Sequence, residues 1–125
     1  MIYNNNIILN ILQSEFWDEI EIYVAGCILD FDDWNSNDTF ENIVDYAELD
    51  SIDEMVVDSY NIEENPDGVR EYISGMMEIR SYVDGYVHWD GEDMVVDSGE
   101  VSIGVQFSFY AEDDKYYNLE LEHIY

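Results

Sequence analysis

The sequence predicts a single compact α+β domain over residues 1–125, with an N-terminal half of helices and strands and a C-terminal antiparallel three-stranded meander. Two observations carry this. The chain is 47% hydrophobic and 15% aromatic, with one Pro and seven Gly. It therefore holds the aromatic and β-branched residues that disordered chains lack, and its length suits one domain. The hydrophobic period also changes along the chain. Several early stretches repeat every three or four residues, and from Ile79 onward the period is two.

Each element follows from its local pattern. In "NNNIILNILQSEFW", Ile7, Ile8, Ile11, Leu12 and Phe16 fall at helical spacing. In "EIEIYVAGCI", Ile20, Ile22 and Val24 alternate with Glu21, Tyr23 and Ala25, the pattern of a half-buried strand. "NSNDTFENIVDYAELD" predicts a helix from about Thr39 to Leu49. Asp38 and Glu41 have capping-box spacing, and Phe40, Ile43, Val44 and Ala47 form an apolar stripe. "DEMVVDSY" reads as a strand, "NPDG" as a turn, and "VREYISGMMEI" as a short helix carrying Gly75. Beyond it, Ile79, Val83, Val87 and Trp89 alternate with Arg80, Tyr82, Asp84, Tyr86 and His88. After the turn "DGED", Val101, Ile103, Val105, Phe107 and Phe109 alternate with smaller residues, and "YYNLELEHIY" follows the turn at "AEDDK". Val87, Trp89, Val105, Phe107 and Leu119 are expected to pack the meander's inner face.

The charge is one-sided. The chain has 31 Asp and Glu against three Lys and Arg, a formal net charge of −28, and no Lys, Arg or His precedes Arg70. Self-repulsion on this scale opposes compaction. On the expected helix, Glu41, Asp45 and Glu48 would project outward at i, i+4 and i+7. Such like-charge pairs cost about 0.2–0.5 kcal/mol each, and Glu48 and Asp50 would sit at the unfavourable end of the helix dipole. Solubility needs a net charge of only about 2–8 on a small domain.

A surface of this kind suits imitation of a polyanion. Duplex DNA carries one charge per about 1.7 Å of axis, so 28 charges match about 48 Å of duplex. Helix and strand geometry can set carboxylates in rows about 5–7 Å apart. The residues expected to stand in for phosphates are Asp30, Asp32, Asp33, Glu41, Asp45, Glu48, Asp50, Asp53, Glu54, Asp58, Glu63 and Glu64.

Other classes find less support. Asp30, Asp32, Asp38 and Glu41 occupy positions 1, 3, 9 and 12 of an EF-hand-like loop, but Trp34 and Asn35 stand where a ligand and the turn glycine belong. No metal or other cofactor is expected. His88 and His123 have no nucleophile motif near them, Cys27 lies inside a strand pattern where a buried, inert thiol is expected, and no Gly-rich phosphate loop occurs, so the expectation is a non-enzyme. Cys27 is the only cysteine, which fits a reducing cytosol. "MIYNNNIILNILQ" lacks a basic signal-peptide region, and no apolar run nears the roughly 20 residues of a membrane span. A cytoplasmic protein with no membrane association is expected. Tyr82, Tyr86, Tyr110, Tyr116, Tyr117 and Tyr125 concentrate in the meander; Tyr is enriched at the centres of interfaces.

In these respects the chain resembles the acidic DNA-mimic inhibitors of phages and mobile elements, which blunt restriction enzymes or CRISPR effectors. A narrower likeness lies in "EIYVAG", "TFENIVDYAEL" and "DEMVVDSYNI", which resemble in order the N-terminal module of the ArdA antirestriction family: a Tyr-containing strand, an acidic helix, then a strand ending in an acidic Tyr motif. The likeness spans residues 21 to 62. It implies an inhibitor that fills the basic DNA- or RNA-binding groove of a defence nuclease, binds no nucleic acid itself, and has room for homodimerisation. The alternative, from another class, is an immunity protein or antitoxin that neutralises a cationic toxin such as a nuclease.

Overall fold

The computed structural model describes residues 3–125. Two helices open the fold, α1 (Asn5–Glu15) and α2 (Trp17–Asp30), followed by a short 3-10 turn at Trp34–Ser36. Four strands complete it: β1 (Tyr46–Glu64), β2 (Glu71–Trp89), β3 (Glu92–Glu112) and β4 (Lys115–His123). They form one sheet in the order β1-β2-β3-β4, every neighbouring pair antiparallel. The fold is α+β as expected, with a four-stranded sheet in place of three strands: the strand containing "DEMVVDSY" joins the meander as its edge.

The α1 helix forms where its pattern predicts. The Asn4 side chain accepts a hydrogen bond from the Ile7 N–H at 2.8 Å, and Ile8, Ile11 and Leu12 are buried. Phe16 separates the helices and packs against Phe109, ring centroids 5.4 Å apart.

Three expectations are corrected. Residues 20–25 lie in α2, not a strand. Ile20, Val24 and Ile28 recur every four residues and are all buried, whereas Ile22 is 73% exposed; the three buried positions fit both periods, and Ile22, which a strand would bury on the same face, decides for the helix. Residues 39–49 form no helix: the chain is irregular to Asp45 and then enters β1. The capping box is absent, because the Glu41 N–H donates to Asp97 instead, at 2.9 Å. The like charges and adverse dipole noted above weighed against a helix, and Asn35 holds the extended chain by bonding both the N–H and the C=O of Val44. Residues 71–79 belong to β2, with Gly75 at its centre. A Cβ on Gly75 would run into the Ser59 carbonyl and the Phe107 ring, so the glycine lets the sheet close up over an aromatic side chain.

The core lies on one face of the sheet. Along β2, Ile73, Met77, Ile79 and Val83 point inward, paired with Val57, Met55 and Leu49 of β1 and with Phe109, Val105 and Ile103 of β3. The helices cover one part of this face. The loop after α2 covers another, with Phe40 and Val44 over Gly85 and Thr39 over Gly99. Val105 and Phe107 are buried and Leu119 packs against the core, as expected, but Val87 is half-buried and Trp89 is 71% exposed. Their alternation is right. The cover of helices and loop ends before it reaches them. The β2–β3 and β3–β4 turns are two-residue turns, Asp90–Gly91 and Asp113–Asp114, all at positive φ, the geometry that matches strand twist.

Candidate partner-binding surface

The sheet face opposite the helices has no covering layer among the described residues. It is built from alternate residues of each strand, with the phase reset at each bulge, so its composition follows directly from the register. The β1 strand contributes Glu48, Glu54 and Glu63, β2 contributes Glu78 and Asp84, β3 contributes Asp93 and Glu100, and β4 contributes Glu120 and Glu122. Tyrosines interleave with them. Tyr46 and Tyr86 stack with centroids 5.1 Å apart and planes 5° from parallel. Tyr72, Tyr110 and Tyr117 form a ladder across β2, β3 and β4, at 5.2 and 5.7 Å.

Three cations belong to this face: Arg80, Arg70 and, opposite Glu112 beside the β3–β4 turn, Lys115. Arg80 sits at its centre between Glu54 (3.3 Å) and Glu100 (3.1 Å); exposed pairs of this kind contribute about 0–1 kcal/mol. The Arg70 guanidinium lies over the Tyr110 ring, 5.9 Å from its centroid.

The twelve carboxylates singled out in the sequence are all exposed, but they do not form one array. Glu48, Glu54 and Glu63 belong to the open face. Asp50, Asp53 and Asp58 each occupy a bulge of β1, where its register with β2 slips by one residue. Glu64 ends β1 opposite Glu71. Asp30 ends α2, and Asp32 and Asp33 follow it in the helical layer. Glu41 and Asp45 lie in the loop before β1. Sequence reasoning missed Glu78, Asp84, Asp93, Glu100, Glu120 and Glu122; the even spacing of Glu78 with Asp84 and of Glu120 with Glu122 was the available signal, whereas a bulge in β3 puts Asp93 out of phase with Glu100.

At the β2–β3 hairpin end the carboxylates also hold the structure. Asp97 Oδ2 accepts from the N–H groups of Glu41 and Asn42, both at 2.9 Å. The Asn42 N–H, with those of Ser98 and Glu41, holds the Asp97 carboxyl below the ordinary range. Asp45 accepts from the His88 N–H at 2.8 Å. Asp93 bridges two partners: His88 Nδ1 lies 2.7 Å from Oδ1, and the Tyr46 hydroxyl donates to Oδ2 at 2.8 Å. His88, then Tyr46, lower the Asp93 pKa, and that bond to Asp93 pushes the Tyr46 hydroxyl up to about 12. Asp93 thus clasps β1 to the hairpin.

No protein-family model, curated protein or solved structure matches this chain. The strand–helix–strand order implied by the likeness to the ArdA module is here helix–loop–strand.

Among the described residues, no group of three or more His, Cys, Asp or Glu is arranged to hold a metal ion, and no helix is long and apolar enough to cross a membrane. The EF-hand-like carboxylates Asp30, Asp32, Asp38 and Glu41 are distributed over the end of α2 and the loop that follows.

Proposed function

We propose that the chain is a nucleic-acid mimic: its open sheet face and acidic edge enter the basic groove of a DNA- or RNA-handling protein, such as a restriction enzyme or CRISPR effector, and keep nucleic acid out. The observation that supports this reading is the open face itself, where carboxylates are spread along the sheet and tyrosine stacks stand at its two ends. Strands of 19 residues run about 60 Å at about 3.3 Å per residue. Spread along that length, a net charge of −28 gives one charge per about 2 Å, close to the 1.7 Å of duplex DNA.

The chemistry fits an arginine-rich groove. A guanidinium pairs in a fork with a carboxylate and is drawn to the face of an aromatic ring, as the Arg70 guanidinium lies over Tyr110. Stacked tyrosines present rigid contact area at small entropic cost. Charge brings the partners together quickly, and the effect weakens as salt screens it.

The test is an inhibitor titration against a restriction endonuclease or CRISPR effector with rising duplex or guide RNA present. Inhibition should fall as nucleic acid competes. Glu48→Lys, Glu63→Lys and Glu120→Lys together should slow association by about tenfold or more without unfolding the chain, since all three are exposed. Inhibition indifferent to both manipulations sinks the proposal. Inhibition that responds to charge reversal but not to nucleic acid would favour a toxin-neutralising role instead.

A further inference from the structure

The alternation that packs β2 and β3 against the helices continues past the end of the covering layer. Val87 and Trp89 of β2 and Met94 of β3 extend the inward-facing rows, with Ile43 and Val96 beside Val87. The hairpin overhangs, and its apolar side is in water: Ile43 is 78% exposed, Met94 47% and Val96 37%. Contiguous apolar patches ringed by polar groups mark interaction sites.

The surrounding charge selects the occupant. Glu41, Asp90, Glu92 and Asp97 lie around the patch, on the loop and hairpin that form it. The cations are remote. Arg80 is nine residues back along β2, about 30 Å at strand rise, and Arg70 and Lys115 lie at the opposite end of the sheet. A second copy would bring an identical carboxylate ring into contact with this one, and an anionic lipid surface would be repelled. A basic protein would be attracted.

We propose that the overhanging hairpin end is the anchor by which the chain grips a basic protein: Trp89, with Met94 and Ile43, enters an apolar recess bordered by Lys and Arg, and the carboxylate ring pairs with that border. This rests on the proposed function and deepens it. A buried Trp surrounded by water-excluding polar contacts is the usual anatomy of an interface hot spot. The sheet face sets how fast the partners meet, and the anchor sets how long they stay.

The test compares two cationic probes in high salt: an amphipathic Leu/Lys helical peptide, and polylysine of equal charge with no apolar face. Wild-type protein should bind the Leu/Lys peptide about tenfold tighter or better, and Trp89→Ser with Met94→Ser should bring the two affinities together. If both peptides bind and the substitutions change neither, the anchor is refuted while the charge reading stands. If neither peptide binds the wild type even in low salt, both fail. Self-association, or binding to phosphatidylcholine vesicles, that the same substitutions abolish would assign the patch to a second copy or to lipid, and would overturn the proposal.

Discussion

Asp97 secures with one carboxylate what a helix would otherwise have secured for the segment before β1. Its two oxygens take the N–H groups of Glu41, Asn42 and Ser98, and these bonds favour its ionised form. Its folded pKa is therefore depressed, so its contribution to stability is present above the unfolded value of about 3.9 and is lost as pH falls through the folded value. Asp97→Ala should make residues 37–45 several-fold more sensitive to protease at neutral pH. In the wild type the same sensitivity should appear only below about pH 4. Equal cleavage of both proteins at neutral pH would show that Asn35 and Val44 hold the loop alone. The prominence of Asp93 and Asp97 could not be read from the sequence, because in a chain with 31 acids no single carboxylate stands out until its partners are known.

β1 shows how charge shapes an element. A long strand at a sheet edge offers unpaired backbone groups to any other strand. This one breaks its register three times, between Leu49 and Ser51, Ile52 and Glu54, and Val57 and Ser59, and an aspartate fills each gap. Bulges twist an edge away from flat pairing, and charge on them repels a like edge. Replacing Asp50, Asp53 and Asp58 together by Thr should give concentration-dependent self-association in sedimentation, to species larger than any formed by the wild type. Unchanged sedimentation would mean that these aspartates guard nothing. The meander from Ile79 onward and the two tight turns were legible because period two and the Asp-Gly and Asp-Asp turn signals are local. α1 was legible because Ile8, Ile11 and Leu12 fit no strand. Residues 20–25 and 71–79 misled because short apolar runs satisfy both periods, and residues 39–45 because their fold depends on Asn35 and Asp97, the latter some 55 residues away.

Across the whole molecule the charge is uneven lengthwise: the three Lys and Arg lie at the centre and one end of the sheet, and the overhanging hairpin has none. The net negative charge was legible from composition. The one-sidedness of the sheet face was not, because it needs the register of all four strands.

The three tryptophans stand at three depths, with Trp34 buried, Trp17 half-buried and Trp89 in water. Trp89 therefore acts as an optical electrode at the hairpin end. A field of one sign excludes ions of that sign and gathers those of the other. In a Trp17→Phe background, caesium should quench the exposed emission more strongly than iodide does, although both ions are small enough to reach the indole. Neutral acrylamide should fall between them. The gap should narrow as inert salt shortens the Debye length from about 30 Å to about 8 Å. Equal quenching by both ions at low ionic strength would mean that the field is neutralised where the hairpin overhangs, and that a basic partner has nothing there to be drawn by.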